Sequence, residues 1–239
     1  MNIAIITPIY KHTQHLRRLL DSCLWQMTPP DELILCCERD EEGALRIFLE
    51  DYYKLAPEDN VRLVVNESGH ANAAGARNAA LKKMGGYADG WVKFLDADDV
   101  LAPFALETFR LTPAPPQVQC VAGTQLKVLS GRIVGMGMPD WKVIERRNPT
   151  LPSMTFVRRS AVEKVGCFNS EINFEEDYDF WLRLRANFGM GAFANVSWPV
   201  CYYWIDQAER AAKPAVSHQI NGMDVREYFA REYAITPER

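Results

Sequence analysis

The chain has 239 residues, 48% hydrophobic and 24% charged, with a formal net charge of −4. Those figures fit one large folded α/β domain and exclude a disordered chain, a fibrous repeat and a protein whose main business is coating nucleic acid. The six cysteines, Cys23, Cys36, Cys37, Cys120, Cys167 and Cys201, show no CxxC spacing, which points to a reducing compartment and away from a zinc site.

Ile3 to Thr7 reads as a first strand: the apolar run Ile3 to Ile9 has no basic segment before it and contains Pro8, which does not suit a secretion signal and predicts a cytoplasmic protein. Leu16, Leu19, Leu20, Cys23 and Leu24 recur at the spacing of one helical face, and that helix stops before Pro29-Pro30. Glu32 to Cys37 and Val61 to Val65 supply two more strands, and Trp91 to Leu95 a fourth after the Gly85-Gly86 break. A helix is predicted from Pro103 through Leu111. This alternation specifies an α/β fold with a Rossmann-like, mixed but mainly parallel sheet flanked by helices.

Beyond the proline-rich break at Thr112 to Pro116, Val118 to Leu129 and Ile133 to Met138 read as strands joined at Ser130-Gly131. Residues 1–112 and 113–206 are expected to be two halves of one domain, and 207–239 a helical C-terminal extension. The stretch Gly191 to Ile205 is interrupted by Asn195, Ser197 and Pro199 and falls short of the roughly 18 apolar residues of a membrane span. No stable membrane insertion is expected.

Open α/β sheets bind ligands beyond the carboxyl ends of their strands. Thr7-Pro8-Ile9-Tyr10, Glu38-Arg39-Asp40 and Asp96-Ala97-Asp98-Asp99 all land on that edge. Transfer from a nucleotide diphosphate needs a cation against the charge growing on the departing phosphate, and hard divalent cations prefer carboxylate oxygens. A strand pattern continuing through Ala97 would put Asp96 and Asp98 on one side, one for ribose hydroxyls and the other for metal. The competing reading is an acidic helix start, against which stands the mutual repulsion of three carboxylates within four residues.

A second acidic segment, Glu175-Glu176-Asp177-Tyr178-Asp179, opens a helical pattern with Phe180, Trp181, Leu184 and Phe188 on its apolar face. Asp177 is either an N-cap worth about 1 kcal/mol or a general base that takes the proton of an acceptor hydroxyl, a role worth about 10²- to 10⁴-fold in rate. Arg183 would steady the acidic cluster, with Glu176, or the phosphates. Arg77, in the small-residue run Gly75-Ala76-Arg77-Asn78, pairs with a diphosphate or a nearby aspartate, or else lies on a solvated face.

In order and spacing, Ile6 to Tyr10, Ser22 with Gln26, Gly75 to Asn78, Phe94 to Asp99, Val165 to Phe168 and Glu176 to Leu184 resemble the family-2, inverting glycosyltransferases of the GT-A fold. The resemblance covers most of residues 1 to 206. It implies that Pro8 and Tyr10 border the nucleotide, that Asp96 faces ribose or phosphate, that Asp98 ligates Mn2+ or Mg2+, and that Asp177 is the base of a single in-line displacement. The implied partners are a nucleotide diphosphate sugar, UDP-linked, and a hydroxyl of a saccharide, lipid-linked or small-molecule acceptor.

Two positions depart from the family's pattern. Where paired aspartates usually meet the nucleotide base, this chain has Cys37-Glu38, so either Glu38 or Asp40 takes over that contact or the donor carries another base. After Pro199, where a metal-binding histidine is common, stands Tyr203-Trp204-Ile205-Asp206; Asp206 is either a substitute oxygen ligand or a solvated turn residue. The Gln-x-x-Arg-Trp segment of processive members is missing, which implies single transfer.

Three other functions compete. A transferase acting on a modified base in DNA gains nothing from the acidic net charge; a non-catalytic nucleotide-sugar-binding protein would have no chemical need for Asp177; and nucleotidyl transfer would show a glycine- and arginine-rich loop where Thr7 to Lys11 stands.

Overall fold

The computed structural model describes residues 1–9, 13–54, 60–86, 90–112, 114–205, 219–220 and 222–236. In the first half β1 (Ile3–Ile9), α1 (Leu16–Leu24), β2 (Glu32–Cys37), α2 (Glu42–Tyr53), β3 (Val61–Val65), α3 (Ala73–Lys83) and β4 (Trp91–Phe94) follow in turn. The four strands lie in the order β3-β2-β1-β4, all parallel. Strands covered on both faces read as apolar runs, and every residue of β2 is buried. Successive side chains of β1 go to opposite faces. Ile3, Ile5 and Ile9 join α1 and α2 in one core, while Ile6 joins Ala76, Ala80 and Leu81 of α3 in the other.

The second half adds β5 (Val100–Leu101), α4 (Ala105–Leu111), β6 (Cys120–Leu129), β7 (Arg132–Gly137), β8 (Thr155–Arg158), α5 (Arg159–Val165), α6 (Glu176–Phe188) and β9 (Phe193–Trp204), then β10 (Gln219–Ile220), β11 (Met223–Asp224) and α7 (Val225–Tyr233). Past β4 the sheet turns mixed: β8 runs antiparallel to β4, β6 antiparallel to β8, β9 parallel to β6 and β5 antiparallel to β9. The β6–β7 hairpin turns at Ser130 (φ 49) and Gly131 (φ 74), two positive values in succession as a tight two-residue hairpin loop requires. Ile220, Val225 and Phe229 at the C-terminal end pack into the same core as Tyr178 of α6. No described helix is long and apolar enough to cross a membrane.

The boundaries moved in instructive ways. β1 runs on through Pro8 and Ile9, β4 stops at Phe94, α4 starts at Ala105, and β7 ends at Gly137. β9 was not foreseen: Asn195, Ser197 and Pro199, which interrupt the apolar stretch, are the exposed positions of an alternating strand whose Val196, Trp198 and Val200 turn inward. Pro199 lies opposite Thr124, where the β6–β9 register shifts, the kind of irregularity that tolerates a residue without a backbone donor.

Gly123 sits at that irregularity. A Cβ there would lie 2.4 Å from Val200 Cγ1 and 3.1 Å from the Trp198 carbonyl oxygen. Overpacking a core of this kind costs about 1–3 kcal/mol, so Gly123→Ala is expected to lower the unfolding free energy by that amount, read in urea as a lower midpoint with an unchanged slope.

Candidate active site

The carboxyl ends of β1, β2 and β4, the start of α3, the loop before β8 and the start of α6 enclose one cavity of about 590 Å³. Pro8, Glu38, Arg77, Asp96, Asp98, Asp99, Glu176 and Asp177 all line it, so both acidic segments open into a shared space. Tyr10 and Asp206 lie outside the described residues. Thr7 is fully buried and Asp40 exposed, and neither lines the cavity.

The first acidic segment is a turn and not a continued strand. The Asp99 amide donates to the Asp96 carbonyl at 3.0 Å, so the extended pattern assumed through Ala97 breaks off. The turn nonetheless buries Ala97 and Asp99 and leaves Asp96 and Asp98 partly exposed. Arg18 holds its outer side, donating to the Asp98 carbonyl at 3.1 Å while its guanidinium lies 4.2 Å from the centre of the Trp204 ring.

Beneath the turn, Lys93 is wholly buried and donates to the carbonyls of Phe94, at 3.0 Å, and Ser153; the Ser153 hydroxyl accepts the Asp96 amide at 3.0 Å. Burial pulls the Lys93 ammonium below its ordinary range. Burial, with the charges of Asp96 and Asp98, pushes Asp99 up. Asp99 Oδ1 is buried without a hydrogen-bond partner among the described residues.

Arg77 is the joint between the two acidic segments. With its side chain only 3% exposed, it donates Nη2 to Asp96 Oδ1 and Nη1 to Glu176 Oε1, each at 2.6 Å. Burial works against its charge, but the two carboxylates outweigh that penalty and raise its pKa. Of the readings open in the sequence, the aspartate pairing is therefore the one in place, and the solvated face is not.

The start of α3 is fixed so that Arg77 points this way. Asn72 caps the helix by accepting the Gly75 amide at 2.8 Å, and its own amide donates to Ser170 and Asn173. Asn78 exchanges two hydrogen bonds of 2.8 Å with the backbone of Phe168. A Cβ on Gly75 would lie 2.2 Å from the His70 carbonyl oxygen. Only a glycine lets the chain approach so closely.

Asp177 lines the same cavity and is 7% exposed. Its carboxylate accepts the Asn148 side-chain amide and the Tyr178 backbone amide, both at 2.9 Å. Burial, seconded by the neighbouring Glu176 charge, pushes its pKa up to about 7 against those two hydrogen bonds and Arg77. Leu151 and Phe174, each 40% exposed, give the cavity apolar lips. Arg183 is turned away: it pairs with Asp179 at 2.8 Å and donates to the carbonyls of Val165 and Gly166. It steadies one member of the acidic segment and lines no part of the cavity. Asn148, Leu151 and Phe174 escaped the sequence reading because they sit in loops without periodicity.

Metal ligands would have to come from few groups. Among the described residues no three His, Cys, Asp or Glu side chains converge as a preformed cage. Mg2+-like ions are commonly held by one or two carboxylates, with substrate phosphates and water completing the shell. Asp98, in a cavity wall beside Asp96 and the unpartnered Asp99 oxygen, fits such a site.

A carboxyl that binds its proton more tightly when folded contributes stability at low pH that is lost as pH rises. Relative to an unfolded aspartate near 4, the Asp177 contribution is complete below that value and gone above about 7. Asp177→Asn is therefore expected to melt close to the parent at pH 4 and higher than the parent at pH 8, with the Asn148 amide flipping to meet the new side chain; differential scanning calorimetry at both pH values checks this.

Known proteins resemble this chain in sequence and in fold. The model of the family described as glycosyltransferase like family 2 matches residues 1–235. Chondroitin synthase of Escherichia coli is 26% identical over 210 residues, 84% of this chain and 28% of that protein. The putative glycosyltransferase EpsE of Bacillus subtilis (strain 168) is 25% identical over 188 residues, 76% of this chain and 66% of that one. The chain thus spans less than two thirds of either relative. Among solved structures, S. aureus TarS 1-349 in complex with UDP-GlcNAc superposes with a TM-score of 0.71 at 18% identity, covering 99% of this chain and 74% of that one. The mannosyltransferase PcManGT from Pyrobaculum calidifontis, in complex with GDP-Man and Mn2+, gives 0.60 at 19% identity, covering 86% and 57%. These likenesses establish the GT-A fold, and the match along nearly the whole chain establishes that this protein belongs to glycosyltransferase-like family 2.

Proposed function

We propose that the chain carries out metal-dependent, inverting transfer of one sugar from a nucleotide diphosphate sugar, UDP-linked, to a hydroxyl of a saccharide, lipid-linked or small-molecule acceptor. The supporting observation is that Asp177, a buried carboxylate raised to about 7, shares one cavity with Asp96 and Asp98. A base poised near the working pH balances being ionised against being strong enough to take a proton.

The donor belongs with residues 1–112. Glu38, held by the Asn66 amide at 2.8 Å, lines the cavity where Asp40 does not, and is the residue we assign to the nucleotide base. Asp96, whose Oδ1 is engaged by Arg77, is the residue we assign to ribose or phosphate. Asp98 would hold Mn2+ or Mg2+, which would supply positive charge against the leaving diphosphate. That TarS is captured with UDP-GlcNAc and spans nearly all of this chain favours a uridine donor.

The acceptor belongs with residues 113–206, entering between Leu151 and Phe174. Asp177 takes the hydroxyl proton, the acceptor oxygen bonds to the anomeric carbon, and the bond from that carbon to the phosphate oxygen breaks with its electron pair leaving on the diphosphate. Attack opposite the departing group inverts the centre, and no covalent nucleophile is required. Free and mostly buried cysteines suit the reducing cytoplasm, where we place the reaction.

Asp98→Ala is expected to abolish Mn2+-dependent thermal stabilisation by nucleotide sugars and to lower transfer by about 10²-fold or more. Asp177→Asn should keep that stabilisation and lose about 10²- to 10⁴-fold in kcat, and the parent's kcat should rise with pH through about 7 as Asp177 ionises. Transfer at parental rates by either variant, with any donor that stabilises the parent, would refute the assignment.

A further inference from the structure

The connection between β7 and β8 rides on the helix that carries Asp177. Along α6, Tyr178, Trp181 and Arg185 recur at the three- and four-residue spacing of one face, and each reaches that connection. The Tyr178 hydroxyl donates to the Ile144 carbonyl at 2.7 Å, the Trp181 ring stands edge-on to Trp141 with centres 5.9 Å apart, and Arg185 pairs with Glu145. Further along, the same connection returns to the start of α6 at Asn148, whose side-chain amide donates to Asp177 Oδ2 at 2.9 Å.

The surroundings of Asn148 leave it little freedom. Pro149 follows it, and a residue before proline is disfavoured in the helical region. The Pro149 carbonyl accepts the Asp140 amide at 3.1 Å and closes the loop at its base. The Asn148 side-chain oxygen accepts the Thr150 amide, weakly, at 3.4 Å, which turns the nitrogen end to Asp177. Asp177 Oδ1 meanwhile accepts the Tyr178 amide at 2.9 Å. Each carboxylate oxygen therefore meets one donor, one from its own helix and one from the loop, and keeps a further lone pair.

We infer that Asn148 is a positioning residue for the transfer, holding the Asp177 carboxylate in the one orientation in which it meets the acceptor hydroxyl. The inference rests on the reading of Asp177 as the base. A neutral amide suits this task better than a cation: an arginine or lysine at 148 would orient the carboxylate but take away its basicity, whereas an amide favours the charged form only moderately. The charged groups around Asp177 come from other positions. Glu175 and Glu176 belong to its own segment, Arg77 to α3, Glu38 to the end of β2, and Asp96, Asp98 and Asp99 to the turn after β4; Tyr203 of β9 is a further titratable group on the cavity wall. Glu176 raises the Asp177 pKa and Arg77 lowers it, and substitution of Asn148 removes neither, so its own effect is separable.

NMR titration of the aspartate carboxyl carbons in the full chain, with the Asp177 signal identified by its loss in Asp177→Asn, tests the contact without any acceptor. The parent's Asp177 should titrate at about 7. In Asn148→Ala it should titrate about one pH unit higher, as expected for the loss of a hydrogen bond to a charged group. Asn148→Asp, which keeps the shape but sets a second carboxylate against the first, should raise the upper step of the pair further. The kcat profile of Asn148→Ala should move with the titration, losing about tenfold below the midpoint while the KM for donor stays at the parent's value; a fold defect would lower kcat alike at every pH. Both variants should keep the parent's thermal stabilisation by UDP with Mn2+. An Asp177 titration unmoved in Asn148→Ala, a kcat profile that keeps the parent's midpoint, or loss of the UDP stabilisation overturns the inference, and an inactive Asp177→Asn then leaves the base reading standing. Parental transfer by Asp177→Asn overturns that reading and the inference with it.

Discussion

The arrangement of the active site depends on Arg77. Seven carboxylates, from Glu38, Asp96, Asp98, Asp99, Glu175, Glu176 and Asp177, line one cavity, and among the described residues two buried cations stand against them, Arg77 between the acidic segments and Lys93 beneath the first. The planar guanidinium reaches Asp96 and Glu176 with different nitrogens at 2.6 Å each, a geometry that a lysine, as a point charge, does not reproduce. Phe168, 5.2 Å from the guanidinium carbon, backs it. Removing one partner from a buried pair costs about 3–5 kcal/mol, mostly as the penalty on the charge left behind, and here two carboxylates would be stranded together.

That makes α3 a brace. Its first turn is tied through Asn72 to residues 170 and 173, and its second through Asn78 to Phe168, so the helix that presents Arg77 also fixes the loop leading into α6. The two acidic segments, at the close of β4 and the opening of α6, are thus related through one short helix, as a donor site and a base in the proposed reaction would need to be. A displacement transferring a group between two bound molecules needs that kind of fixed separation, since misplacement by about 1 Å can cost 10²-fold in rate.

Much of this was legible in the sequence, and the rest was hidden for identifiable reasons. β2 and β3 occupy the ranges their apolar runs marked, because both are buried in a parallel sheet where composition and structure coincide. β9 was not legible, because its polar positions look like breaks until a partner strand shows that they alternate. In the site, Asp96, Asp98 and Asp177 stood out by residue type and spacing, and the structure brings them to one cavity. Arg77 was ambiguous by spacing, since its partners are 19 and 99 residues away and no local pattern encodes such a pairing. Arg183 was open between the acidic cluster and the phosphates, and its i,i+4 partner Asp179 ties it to the cluster, outside the cavity. Asn148 and Phe174 carry no pattern, and only the closed cavity singles them out.

The molecule is under strain where it is expected to act. Phe104 and Glu175, both with positive φ, immediately precede α4, the helix that follows the acidic turn, and α6, the helix that carries Asp177. A left-handed residue lets a chain enter a helix from an angle that an extended approach cannot reach, at a cost of about 1–2 kcal/mol for anything other than glycine. At Glu175 the entry sets Glu176 against Arg77 and Asp177 into the cavity. Asp177 adds a second cost, a carboxylate kept out of water. Packing alone would favour a neutral side chain at 177 and a glycine at 104. That the chain keeps an acid at 177 is most simply understood if it meets something absent from the folded monomer, an acceptor hydroxyl.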